Sequence, residues 1–152
     1  MISETDAAYI AGLFDGEGSV SYKQYMRKKP HNKKAYPNWQ IRMEISMTDK
    51  SVLNWLHLTL GVGTLNVKKY KSAYTKGWKK QWRWRCSSRD AYYVCLLIQP
   101  YAHTKVVDIN KVIKHYSHLT KDTLKAKVID IDSYKRKINE KNFNINSPID
   151  FD

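Results

Sequence analysis

The stretch YIAGLFDGEGSV, Tyr9 to Val20, joins an apolar segment to a pair of acids that alternate with glycines. Ser3 and Asp6 stand at the spacing of an N-terminal cap, which predicts a helix of roughly three turns running to Phe14. Ala8, Gly12 and Gly16 lie four apart and therefore share one face of that helix, while Tyr9, Ile10, Leu13 and Phe14 supply bulk around it. A face without side chains lets another backbone approach closely, so the stripe points to helix–helix packing more than to simple core burial.

Outward from this stretch the pattern changes period. Gly18 to Arg27 alternates as a strand, and PHNKKAYP after it reads as a basic loop closed by Pro30 and Pro37. From Trp39 to Met47 the alternation is strict, with Ile41, Met43, Ile45 and Met47 on one side and Gln40, Arg42, Glu44 and Ser46 on the other. Thr48-Asp49 opens a helix carrying Val52, Leu53, Trp55, Leu56 and Leu60, and LGVG, Leu60 to Gly63, ends it. A third strand runs from about Thr64 to Tyr70, and KSAYTKGWKK turns back into a fourth, QWRWRCS, with Trp82, Trp84 and Cys86 opposite Gln81, Arg83 and Arg85. Ser88 caps a helix to Ile98, ended by Gln99-Pro100, and Val106 to Tyr116 is helical again. The order predicts an α+β fold, α-β-β-α-β-β-α-α, with one four-stranded antiparallel sheet covered by helices on one face. Residues 1–119 form this core. Residues 120–152 form a C-terminal helix, with Leu124, Val128, Ile131, Tyr134 and Ile138 as its stripe, and an irregular tail on the same domain.

Charge narrows the function. The 152-residue chain holds 27 Lys and Arg against 14 Asp and Glu, net +13. Between Gly18 and Arg89 stand 17 of the basic residues and only two acids, Glu44 and Asp49, whereas from Thr120 onward seven face six. A positive field concentrated in the sheet region suits a polyanion, because each contact with a phosphate releases condensed counterions. A sheet face rich in Arg, Lys, amide and hydroxyl groups has the chemistry to read base edges in a major groove. No apolar run approaches the ~20 residues of a membrane span. The N-terminus is too polar for a secretory signal. Cys86 and Cys95, lacking zinc-ligand spacing, read as inert thiols of an intracellular protein. His115 and His118, three apart on a basic helix, read as surface groups.

The two acids require a reason in such a setting. The segment lacks the alternating acids of an EF-hand loop. It follows a helix and is acidic, unlike a phosphate-cradling glycine loop. Asp15 has a plain structural reading, capping backbone amides at the helix–strand junction while glycines relieve a sharp turn. Glu17 begins a strand of an otherwise basic sheet. Near DNA phosphates it is repelled unless a cation stands between, and a hard divalent ion, Mg²⁺ by default, meets that need.

Ile10 to Gly18, IAGLFDGEG, resembles the LAGLIDADG motif of homing endonucleases, and the element order from about Tyr9 to Tyr116, with LGVG and IQPY…TK, is similar to that family's core. One copy of the motif places the resemblance in the homodimeric branch. This implies two motif helices paired through Ala8, Gly12, Leu13 and Gly16 about a twofold axis, over a pseudo-palindromic double-stranded DNA site. The resemblance further implies that Glu17 is the metal-binding carboxylate and that Gly16 contributes its carbonyl. Lys105 then matches a basic residue beside the scissile phosphate, although a surface lysine at a helix start is its plain alternative. Asp49 stands where relatives often carry Gln, and either orders water, joins the metal-associated acids or caps its helix. The base-reading set is the polar parity of each strand: Ser19, Ser21, Lys23, Tyr25 and Arg27; Gln40, Arg42, Glu44 and Ser46; Thr64, Asn66, Lys68 and Tyr70; Arg83 and Arg85. Lys28, Lys29, Lys33, Lys34, Lys79 and Lys80 are phosphate contacts. The alternative function is a regulator or splicing maturase of the same family that binds without cutting.

Overall fold

The computed structural model describes residues 2–31, 33–69 and 77–117. The expectations for Tyr70, His118 and the segment 120–152 lie outside the described residues. The elements are α1 (Glu4–Glu17), β1 (Gly18–Lys28), β2 (Ala35–Met47), α2 (Lys50–Leu60), β3 (Thr64–Val67), β4 (Trp82–Ser87), α3 (Ser88–Ile98) and α4 (Val106–His115). The four strands form one antiparallel sheet in the order β1-β2-β4-β3.

The expected α+β architecture is present, and the parity rule for β-strands explains how it packs. Ile41, Met43 and Ile45 of β2 are buried, as are Trp84 and Cys86 of β4, and the register pairs Met43 with Cys86 and Ile45 with Trp84. Against this apolar face lie α1, through Ala7, Ile10, Ala11 and Phe14, and α3, whose Tyr92, Val94, Cys95, Leu96, Leu97 and Ile98 are all buried. A helix apolar on nearly every side belongs at the centre of a core. Phe14 meets Trp84 edge-on at 5.9 Å, tying α1 to the middle of the sheet. Burial pushes both cysteine thiols far up, so Cys86 and Cys95 stay protonated. No helix among the described residues is long and apolar enough to cross a membrane.

Several boundaries differ from the sequence expectation, and four of them bear on the packing. Helix α1 continues past Phe14 to Glu17, so Glu17 ends a helix and does not begin a strand. The weak helix formers Asp15 and Gly16 argue locally for an earlier stop. Strand β2 begins at Ala35, with Pro37 inside it, because that part of β2 pairs with β1 and β4 joins only from Arg42 onward. A strand bordered on one side tolerates a missing N–H. Strand β3 ends at Val67, although the Lys68 N–H still donates to the Gln81 carbonyl at 2.8 Å. Ser88 starts α3 instead of capping it. Ser87 occupies the cap position without a side-chain bond, and Ser88 adopts φ 54 because β4 passes into α3 with no loop residue between them.

Gly63, just before β3, has φ +82, and a Cβ there would lie 2.7 Å from the Arg85 carbonyl oxygen and 2.9 Å from the Trp84 ring. The Trp84 indole also donates to the Val62 carbonyl at 3.2 Å, so this turn is sealed against the core. Gly63→Ala is expected to destabilise the protein by about 2–4 kcal/mol through left-handed strain and overpacking, read as a lower urea midpoint at unchanged slope.

Candidate metal centre and nucleic-acid interface

The motif sits where α1 passes directly into β1. Gly18 donates its N–H to the Phe14 carbonyl, and a Cβ at that position would collide with the Phe14 side chain, so only glycine permits the turn. Gly12 and Gly16 are different. Both are exposed, and a Cβ on either would meet nothing within 4 Å. Each costs a helix about 1 kcal/mol relative to alanine, and no contact among the described residues accounts for them. They form with exposed Ala8 an open stripe on the side of α1 opposite its buried residues.

Glu17 is exposed at the C-terminal end of α1, whose last turn carries no basic residue. The helix dipole is negative there, so a carboxylate at this end is stabilised by a cation and by little else. The Glu17 carboxylate and the Gly16 carbonyl are hard oxygen donors of the kind a divalent ion takes, and they fit one. Among the described residues, no three His, Cys, Asp or Glu side chains gather at one place, so a protomer offers this pair and no larger cage.

Asp15, by contrast, is fully engaged. Its Oδ2 accepts the His103 N–H at 2.7 Å, and its Oδ1 accepts the Thr104 N–H at 3.0 Å, the Thr104 hydroxyl at 2.9 Å and the Lys105 N–H at 3.2 Å. Asp15 is indeed a cap, but of a segment far along the chain and not of the helix–strand junction beside it. Lys105, half-buried at the N-cap position of α4, makes no side-chain capping bond of its own, so α1 supplies the cap. Partial burial raises the Asp15 pKa, but the hydrogen bonds from His103, Thr104 and Lys105 outweigh it and leave the carboxyl below the usual carboxylate range. Because the folded value lies below the unfolded one, the cap contributes fully above the ordinary carboxylate pKa and is lost as pH falls through the lowered value.

Asp49 caps α2. Its Oδ1 accepts the Ser51 hydroxyl at 2.6 Å and the Ser51 N–H at 2.8 Å, and these bonds hold its carboxyl below the usual range. Of the roles open to it in the sequence, the geometry provides the capping one.

The polar parity of the strands lies on the sheet face opposite the core. The register pairs Ser19 with Glu44, Ser21 with Arg42 and Lys23 with Gln40. Arg83 stands between Ser46 and Asn66, and Arg85 between Glu44 and Thr64. Lys68 reaches Gln81 with its Nζ at 3.4 Å. Two residues on this face were missed, Tyr36 and Asn38, because Pro37 read as a loop. Extending the alternation of β2 back by four residues would have found them. Asn38 donates to the Tyr25 hydroxyl at 2.7 Å, and Lys29 lies 5.7 Å from the Tyr36 ring centroid. The face is not uniformly positive, since Arg85 donates through Nε and Nη2 to Glu44 at 3.0 and 2.8 Å in a half-buried ion pair. Lys28 at the end of β1 and the loop lysines Lys29, Lys33, Lys34, Lys79 and Lys80 are exposed, and Lys80 and Lys50 both lie over Trp82, at 4.7 and 4.4 Å.

The sequence profile of the LAGLIDADG endonucleases matches residues 10–116, from the motif through α4. The chain belongs to the LAGLIDADG endonuclease family. Solved structures of LAGLIDADG enzymes share its fold. One is the homing endonuclease I-CvuI in complex with the I-CreI target, at 15% identity and TM-score 0.58, covering 91% of this chain and 96% of that one. The archaeal intron-encoded homing endonuclease I-Vdi141I, complexed with DNA, is similar at 13% identity and TM-score 0.50, covering 92% and 98%. The meganuclease I-SmaMI, bound to uncleaveable DNA, matches at 15% identity and TM-score 0.54, over 93% of this chain but 45% of its own. A search of curated protein sequences returns no match. Within this LAGLIDADG chain, then, the fold brings together the motif and the segment before α4, while Asp49 is turned to its own helix.

Proposed function

We propose that the protein is a homing endonuclease that cuts both strands of a specific double-stranded DNA site as a homodimer, using a divalent cation, Mg²⁺ by preference. The observation that carries this is one exposed carboxylate, Glu17, at the end of a helix with an exposed stripe of small residues, Ala8, Gly12 and Gly16, next to a basic and polar sheet face.

Pairing two α1 helices along Ala8, Gly12, Leu13 and Gly16 sets two Glu17 carboxylates near one axis and two sheets side by side. I-SmaMI supports the arithmetic, because one copy of the present fold spans less than half of that chain. Glu17 and the Gly16 carbonyl would hold the cation, which would lower the pKa of an attacking water and offset charge on the leaving oxygen. Each cut is a hydrolysis: the water oxygen bonds to phosphorus as the bond to the leaving sugar oxygen breaks. Lys105 directs its ammonium at the scissile phosphate and offsets the charge that develops on its oxygens. Arg42 and Arg83 suit guanine, and Gln40 and Asn66 suit adenine, each bidentate pair discriminating by ~1–3 kcal/mol. The exposed loop lysines hold phosphates and add affinity without sequence information.

The test is a library of randomised duplexes incubated with purified protein in Mg²⁺ or in EDTA. Recovery of one family of near-palindromic sites, cut in both strands only with the metal, is the expected result. Binding of such a family with no cut ends would replace this reading by the regulator or maturase one.

A further inference from the structure

We infer that Asp15 is a positioning residue for cleavage: by capping residues 103–105 it holds the Lys105 backbone against the motif turn that ends in Glu17. The inference rests on the proposed role of Lys105. Asp15 and Glu17 are two residues apart on α1, and Lys105 is 90 residues away in sequence from Asp15. The Asp15 carboxylate takes three backbone N–H groups and one hydroxyl, using both of its oxygens, and the same Thr104 hydroxyl also lies 3.2 Å from the Asp15 backbone carbonyl. The Lys105 carbonyl in turn accepts the Ile109 N–H at 3.0 Å, so the first turn of α4 is built on the clamped residue. A carboxylate at that helix start also meets the positive end of the dipole. The clamp is specific to a carboxylate, because an amide side chain has one acceptor oxygen where this arrangement uses two. Loosening it lets the backbone of Lys105 drift relative to the motif, and a misplacement of about 1 Å can slow a reaction by about a hundredfold.

A double-mutant cycle separates this role from plain stabilisation. Asp15→Asn, Lys105→Met and the double variant are compared with the wild type on a duplex recovered from the randomised library. Single-turnover rate constants at saturating DNA, DNA affinity and melting curves are measured, with cleavage assayed at a temperature where every variant is folded. Asp15→Asn is expected to slow cleavage by about 10- to 100-fold with DNA affinity within about twofold, and the double variant is expected to be no slower than the slower single one. Multiplied losses in the double variant, or a wild-type rate in Asp15→Asn while Lys105→Met is slow, overturn the inference and leave the endonuclease reading standing. A wild-type rate in Lys105→Met overturns the role of Lys105 itself, and the inference with it. Should Asp15→Asn fail to fold, Thr104→Val removes one donor and keeps the carboxylate, and a slowing of several-fold at unchanged affinity that disappears in the Lys105→Met background supports the same conclusion. An unchanged rate in Thr104→Val opposes it.

Discussion

Glu17→Gln is expected to reduce DNA cleavage by at least about a thousandfold while leaving DNA affinity within a few-fold of the wild type. The amide is nearly the same size, so the exposed end of α1 keeps its shape and the sheet face is untouched. What disappears is the negative charge, and with it the hold on a divalent ion whose contribution to phosphodiester hydrolysis is several kcal/mol. Removing an acid from a DNA-facing surface also lessens repulsion of phosphates, so affinity measured in EDTA is expected to stay level or rise slightly. Rates with Mg²⁺ and affinities with and without it, measured on one selected duplex, check both halves. Equal cutting by the two proteins would move the chemistry away from the motif.

The second large effect concerns assembly. Gly12→Gln is expected to give a folded protomer that stays monomeric and loses double-strand cleavage by about a hundredfold or more. A Cβ at Gly12 meets nothing within 4 Å in the protomer, and the substitution improves intrinsic helix propensity by somewhat less than about 1 kcal/mol. Among the described residues, therefore, there is open space at the Cβ position of Gly12. In the proposed dimer the new side chain has no space between two closely packed α1 helices, and the pairing proposed to set the two Glu17 carboxylates near each other is expected to be lost. Sedimentation gives the mass and circular dichroism the helix content. A Gly12→Gln protein that remains dimeric and active would remove the α1 stripe from the interface. Gly18 is a control of opposite character, because its substitution meets Phe14 within the same protomer and reports on folding alone.

Much of this was legible in the residues themselves. The strict alternation from Ile41 to Met47 separates two faces by counting in twos, and the sheet keeps that separation in β2 and carries it into β4, where Trp84 and Cys86 are buried and Arg83 and Arg85 lie opposite. Other features were not. Glu44 and Arg85 are 41 residues apart, and their ion pair exists only because the register sets them side by side. That pair occupies two donors of an arginine expected to face bases. Tyr36 and Asn38 were hidden by a proline that the edge of a sheet tolerates. Asp49 offered three roles in sequence, and only the position of Ser51 in space selects the cap.

By itself the amino-acid sequence determined the order of helices and strands, the division of each strand into an apolar and a polar side, the place of the positive charge and the motif that marks the family. These are properties of contiguous residues, written in periods of two and about 3.6, and they need no knowledge of what lies across the molecule. Tertiary structure alone decided that Asp15 caps a helix start 88 to 90 residues away, that the last turn of α1 reaches Glu17, and that Gly12 and Gly16 face open space while Gly18 does not. The physical reason is that such contacts depend on how separate elements pack, and one carboxylate looks the same in sequence whether its partner N–H groups lie in the next turn or at the far end of the fold.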